Sequence, residues 1–190
     1  MEAKAAGRAP DKAVFDHTLA LTDARYAGSA AQATYLVDKI PDDATLMTQC
    51  FAETDVGAML RECRARGKTI KVICPETRPY FQGARLTASV VRDIGFEVTV
   101  ITDNMPAWAM KAKGVDLFTS AADLRHPTID TVAIEESDGE EVLEAMGVRT
   151  AMRGVRGWYP AFDITPPELC VGIVTDKGIF PPYDLARYLN

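Results

Sequence analysis

Residues 75–105 read PETRPYFQGARLTASVVRDIGFEVTVITDNM, and this stretch decides the fold. An apolar strand, Ile70 to Cys74, runs directly into the charged loop Glu76-Thr77-Arg78-Pro79. A helix is expected over Gly83–Ile94, closed by Gly95. A second apolar strand, Glu97 to Thr102, then ends in Thr102-Asp103-Asn104. Both strands deliver polar residues at their C-terminal ends. In a parallel sheet those ends share one edge, where open α/β proteins bind ligands.

The same alternation extends outward. Ala44 to Thr48 reads as a short strand, and Asp55 to Arg66 as a helix stopped by Gly67, a residue favoured just past helix ends. Downstream, Pro106 to Lys113 reads as a short helix stopped by Gly114, and Val115–Thr119 as a further strand. Three strand–helix–strand steps in a row predict an α/β fold, a Rossmann-like doubly wound parallel sheet with right-handed crossovers. At the N-terminus, residues 1–10 read as a mobile tail and Asp11 to Ile40 as one helix, broken by Pro41-Asp42-Asp43. The expected division is an N-terminal tail and helix over 1–40 and an α/β Rossmann-like domain over 41–190. Past Asp123 the pattern loosens. Thr131–Glu135 reads as a strand and Glu140–Met146 as a helix ending at Gly147. Thr165-Pro166-Pro167-Glu168 has the form of a capping box with proline at the helix start, which predicts a helix running to about Thr175.

Composition narrows the function classes. The 190 residues are 47% hydrophobic and 25% charged, with a formal net charge of -6. That is ordinary globular composition. Without a long Lys/Arg run, a nucleic-acid surface is not expected, although a local basic pocket for a small anion is compatible with the charge. The four cysteines, at 50, 63, 74 and 170, form no Cys-x-x-Cys pair, and His17 and His126 are the two histidines. That inventory argues against a zinc site. The start MEAKAAGRAPDKA has no apolar core of the kind a leader carries. No stretch approaches the ~20 apolar residues of a membrane span. Free thiols without a leader point to the cytoplasm.

Several residues are candidates for chemistry. Cys50 falls at a strand end just ahead of a helix, where a thiol is activated toward acid/base or nucleophilic work; the competing reading is a buried core cysteine. Cys63, Cys74 and Cys170 sit on apolar faces and read as core. Arg78 and Arg85 flank Gln82-Gly83 at a helix start. Arginines, a flexible glycine and free helix N–H groups make a phosphate cradle; a solvated surface loop is the alternative. The glycine spacing and lysine of a P-loop are missing. Asp103 and Asp123 each follow a strand and serve either as general acid/base or as a helix cap; for Asp103 the capping or orienting role is the expectation. Asp163 reads as a turn former.

These residues together resemble the methylthioribose-1-phosphate isomerase family, including its relative ribose-1,5-bisphosphate isomerase. The same superfamily holds the regulatory subunits of the exchange factor initiation factor two B. The resemblance is carried by Thr48-Gln49-Cys50, by Glu76-Thr77-Arg78-Pro79 with Gln82-Gly83-Ala84-Arg85-Leu86-Thr87-Ala88, and by Ile101-Thr102-Asp103-Asn104-Met105. Ala121-Ala122-Asp123, Ile134-Glu135-Glu136, Gly147-Val148-Arg149-Thr150 and Pro160-Ala161-Phe162-Asp163-Ile164-Thr165-Pro166 extend it, so that it runs from about residue 12 to 190. It implies an aldose–ketose isomerase acting on a sugar phosphorylated at C1, with the catalytic cysteine at Cys50, the catalytic aspartate at Asp123 and a substrate-contacting glutamine at Gln82. It implies no metal or organic cofactor, and a homodimer formed through the α/β domain. The wording around Cys50 and the ending Pro182-Tyr183-Asp184-Leu185-Ala186-Arg187-Tyr188 resemble the ribose-bisphosphate branch more closely.

The chain departs from the family pattern twice. Of the family's helical N-terminal domain, which grips the phosphate with arginines, only the last helix, Asp11–Ile40, has a counterpart. After Asp123 a unit of ~30 residues, a helix plus a strand, is missing, so that Asp123 is assignable to either side of the gap. A catalytically silent, regulatory-type subunit that binds sugar phosphate or nucleotide is therefore the alternative expectation.

Overall fold

In a computed structural model, residues 10–51, 53–119, 131–183 and 185–189 are described. The expected tail over 1–9 and the candidate Asp123 lie outside them.

Four strands, β1 (Ala44–Thr48), β2 (Ile70–Pro75), β3 (Glu97–Ile101) and β4 (Leu117–Thr119), form one parallel sheet in the order β3-β2-β1-β4. The connecting helices are α2 (Glu53–Ala65), α3 (Ala88–Ile94) and α4 (Pro106–Lys113), preceded by the 28-residue α1 (Pro10–Val37). The doubly wound expectation holds, because the central strands β1 and β2 bury apolar residues on both faces under helices. In register, Leu46 pairs with Val72 and Leu117, and Val72 with Val98. This row meets Val37 of α1, Met59, Leu60 and Cys63 of α2, and Val91 of α3 in the main core. On the opposite face Met47 and Ile73 pack under Ala109 of α4. Burying side chains of this size stabilises each by roughly 1.5–3 kcal/mol, so the thirteen-residue main core dominates the fold's stability.

Local chemistry sets the ends of the helices. Gly67 takes φ +71 after α2, and the N–H of Lys68 reaches back to the Cys63 carbonyl at 3.0 Å. Gly95, at φ +96, closes α3 in the same way, with Phe96 N–H on the Val91 carbonyl. Both are the left-handed closure that glycine makes without steric cost. The C-terminal half of α1 is pinned to α2 by Ser29 Oγ on Asp55 (2.6 Å), Tyr26 on Glu53 (3.1 Å) and Arg25 on Thr54 (3.2 Å).

Beyond 131 three expectations change. Thr131–Glu135 is not a strand; instead β5 (Glu136–Ser137) pairs antiparallel with β8 (Tyr159–Pro160). The expected helix at 140–146 is a 3-10 turn, Gly139–Leu143, capped by Asp138, whose side chain accepts from Glu140 N–H. The chain then turns at Met146-Gly147 between β6 (Glu144–Ala145) and β7 (Val148–Arg149). The helix expected from Thr165 to Thr175 shrinks to the 3-10 turn Pro167–Leu169, followed by a hairpin of β9 (Ile173–Thr175) and β10 (Gly178–Phe180). The β-branched run Ile173-Val174-Thr175 favours a strand over a helix. Gly178, at φ +142, adopts a backbone conformation that other residues rarely take. This hairpin leans on α1, and α5 (Leu185–Leu189) follows.

Candidate active site

Cys50 sits two residues beyond β1, half-buried, with φ +54. A non-glycine residue in that region is uncommon. Here the backbone is fixed from outside: Thr87 Oγ1, fully buried, donates to the Cys50 carbonyl at 2.5 Å. Cys63 and Cys74 are core, as expected. Burial pushes the Cys63 thiol up to about 11 and raises that of Cys74, while Thr48 donates to Cys74 Sγ at 3.6 Å. Cys170 differs from expectation: it is half-buried in the C-terminal segment, its Sγ 3.9 Å from the Pro166 carbonyl.

The loop after β2 is held from below by Asp103. One carboxylate oxygen accepts from Thr77 N–H at 2.8 Å and the other from Arg78 N–H at 2.7 Å. Asp103 thus takes the orienting role, and the strand end after β3 shapes the strand end after β2. Thr77 (φ +62) and Phe81 (φ +58) both lie in the left-handed region, and the Arg78–Pro79 peptide is cis. Positive φ at non-glycine residues clusters at ligand sites, where the surrounding structure maintains it. Gly83 is required by contact: a Cβ there would stand 1.8 Å from the Pro75 carbonyl oxygen.

Gly83–Thr87 is wound as a π-helix before α3 begins. Such widened turns are frequent at functional sites, and this one turns Thr87 onto Cys50. Just ahead of it, Gln82 Oε1 is buried with no hydrogen-bond partner among the described residues. An unpaired buried acceptor costs about 1–3 kcal/mol and is satisfied by a ligand donor. Within this segment it is Thr87 that the structure brings onto Cys50, while Gly83 packs on the end of β2.

The arginines are less uniform. Arg78 lies 5.1 Å over the Phe81 ring and donates through Nη2 to the Glu144 carbonyl at 2.6 Å, so part of its donor capacity holds the protein together. Arg85 is exposed and lines a groove of about 220 Å³ whose other charged residues are Glu141 and Glu144. Tyr80 and Tyr159, which the sequence did not single out, stand beside it with ring centroids 6.3 Å apart. Tyr80 donates its hydroxyl to Glu141, which holds the phenol up at about 12. Burial, then the charges of Glu141 and Cys50, raises Tyr159. A larger hollow of about 370 Å³ lies between α1 and α2, lined by Tyr26, Arg61 and alanines, with no strand end in it. Among the described residues no group of three His, Cys, Asp or Glu is arranged for a metal, and no helix is long and apolar enough to cross a membrane.

A doubly wound α/β domain with a polar site at the C-terminal strand edge is the class the geometry defines. The chain belongs to the initiation factor 2 subunit family, whose model matches residues 11–123 and 118–182. The methylthioribose-1-phosphate isomerase of Fervidobacterium nodosum is 37% identical over 191 positions, covering 76% of this chain and 55% of that protein. That of Heliobacterium modesticaldum is 34% identical over 218 positions, covering 90% and 61%. The chain thus spans little more than half the length of these curated relatives. Among solved structures, the A. fulgidus translation initiation factor eIF-2B subunit delta superposes with a TM-score of 0.81 at 26% identity, covering 90% of this chain and 63% of that one. The 5-methylthioribose 1-phosphate isomerase of Pyrococcus horikoshii gives 0.74 at 27%, covering 83% and 57%.

The aligned lengths also exceed the residues this chain supplies to them. The 191 aligned positions of the Fervidobacterium protein draw on 76% of 190 residues, roughly 145, which leaves about 45 positions facing no residue here. The two family-model stretches overlap at 118–123, so the residues up to Asp123 match the family on both sides of the break.

Proposed function

We propose that this chain is an aldose–ketose isomerase. It converts a C1-phosphorylated aldopentose, of the methylthioribose-1-phosphate, 5-deoxyribose-1-phosphate or ribose-1,5-bisphosphate type, to the ketose phosphate. Cys50 and Asp123 act as the acid/base pair, while Gln82, Gly83, Arg78 and Arg85 hold the substrate. The observation that carries this reading is the junction of Cys50 with the Gln82–Thr87 segment, where a buried amide oxygen without a partner faces the need for a ligand hydroxyl. Relatives named methylthioribose-1-phosphate isomerase at 33–37% identity support it.

In this mechanism one member of the pair protonates the ring oxygen and the C1–O ring bond breaks. A proton then passes from C2 to C1, or a hydride shifts between them, as the C2 hydroxyl loses its proton to become the carbonyl. C1 is reduced as C2 is oxidised, so no external redox partner is required and the phosphate stays on C1. The groove beside Gln82 sets two carboxylates against Arg85. The reading includes a cytoplasmic homodimer with the division 1–40 and 41–190, checked by light scattering on the purified chain.

A second reading has a specific observation behind it. The likeness to the A. fulgidus eIF-2B subunit delta, with a TM-score of 0.81 at 26% identity, supports a catalytically silent subunit that binds sugar phosphate or nucleotide. Incubation with each of the three sugar phosphates, followed by proton and phosphorus NMR, separates the two. A ketose phosphate formed by wild type and not by Cys50→Ser or Asp123→Asn supports the isomerase. Binding without conversion, unchanged in both variants, supports the silent subunit.

A further inference from the structure

We propose that Tyr80 is a positioning residue: its hydroxyl latches the 76–82 loop to the 139–149 segment and so keeps Gln82 aimed at the substrate. The proposal rests on the isomerase reading for its kinetic consequence and on geometry alone for the latch.

The loop needs external restraint. Thr77 and Phe81 hold left-handed backbone at either end of it, which non-glycine residues keep only when their surroundings impose it. Three restraints come from the sheet edge, through Asp103 on the N–H groups of Thr77 and Arg78 and through the Ile101 carbonyl, which accepts from Glu76 N–H at 2.8 Å. The others come from a segment more than sixty residues further along the chain. Arg78 reaches the Glu144 carbonyl, and Tyr80 donates to the Glu141 carboxylate. The Asp103 restraints act on the first half of the loop. Tyr80 is the residue through which the far segment holds the half that leads into Gln82. Its ring leans on Tyr159, which extends the contact to β8. Glu141 is itself fixed, since it sits in the 3-10 turn that Asp138 caps, and the neighbouring Glu140 pairs with Arg149 of β7.

Half of the Tyr80 side chain is exposed, so its substitution leaves the core intact and the latch can be opened without unfolding the protein. The test compares wild type with Tyr80→Phe, Glu141→Ala and Glu141→Gln, the last keeping an acceptor for the hydroxyl. Amide hydrogen exchange reads the loop, and methylthioribose-1-phosphate turnover reads the site. Tyr80→Phe and Glu141→Ala are expected to lose about tenfold protection in 76–86, with that of β1 and β2 unchanged. KM is expected to rise about tenfold with kcat within about threefold, since Cys50 lies outside the loop. Glu141→Gln is expected to retain most of both. In Glu141→Ala the ultraviolet titration of the most alkaline tyrosine should move from about 12 toward the ordinary phenol range. Unchanged exchange in 76–86, or lost protection with KM unmoved, would overturn the latch. A wild type that converts nothing defeats the isomerase reading instead, and the exchange data then decide the latch alone.

Discussion

Replacing Gly83 by alanine separates local from tertiary control of this fold. Gly83 opens a helical segment, and its backbone is not in the left-handed region. Helix propensity alone therefore predicts a gain of about 1 kcal/mol from the substitution. The tertiary structure predicts the opposite sign. The new Cβ would lie 1.8 Å from the Pro75 carbonyl oxygen, about 1.2 Å inside the 3.0 Å limit of real Cβ contacts, and 3.0 Å from Thr77 Oγ1. The first obstacle is backbone at the end of a central strand, so either β2 or the π-helical turn must move. Overpacking costs about 1–3 kcal/mol, and more against rigid neighbours. Setting the upper part of that range against the propensity gain leaves a net loss of about 2 kcal/mol, or a fall of about 4–8 °C in Tm for a chain of this size. Urea unfolding should show the midpoint falling at unchanged slope. Gly28→Ala is the matched control. That glycine lies in α1 with nothing within 4 Å of the added methyl group, so a gain of roughly 0.5–1 kcal/mol is expected. If Gly83→Ala melts at or above wild type while Gly28→Ala gains as expected, the close approach at Pro75 is wrong, and with it the placement of Gln82.

Native alkylation with iodoacetamide, followed by mass spectrometry, should label Cys50 and Cys170 and leave Cys63 and Cys74 unlabelled until the chain unfolds, following their burial. Labelling of Cys74 before unfolding would contradict the packing of β2. In the alkaline range the two core thiols hold their protons more tightly in the folded state than in the unfolded chain. The contribution of Cys63 is therefore complete below about pH 9 and is lost as pH rises toward about 11, and burial shifts Cys74 in the same direction. For Cys63 this amounts to roughly 2 kcal/mol. Urea midpoints measured in reductant between pH 8 and 11 should fall less steeply in Cys63→Val, and parallel slopes would refute the assignment. Asp103→Asn leaves one acceptor oxygen for two N–H donors. The loop should lose about 1 kcal/mol of local stability, seen as faster exchange at Thr77 or Arg78; equal protection would mean that Asp103 does not orient the loop.

The sequence by itself determined the sheet and most of its connections. The apolar residues of Ile70–Cys74 are buried on both faces of the sheet while Lys71 stays exposed, and the glycines at 67, 95 and 114 stop helices by a local mechanism, so these elements are legible from their own residues. Cys50, Gln82 and Gly83 were also legible as site candidates, because motif and strand end coincide in one short stretch. Tyr80, Tyr159, Glu141 and Thr87 carried no such signal. Their roles come from pairings between segments 37 to 79 residues apart, which no local pattern encodes. The C-terminal helix failed for the same reason. A capping box is a local preference of about 1 kcal/mol, and the strand pairing of Ile173–Phe180 against α1 outweighs it. Only the tertiary structure decided that Gly83 must be glycine, since the atom that excludes a side chain there belongs to another strand's end.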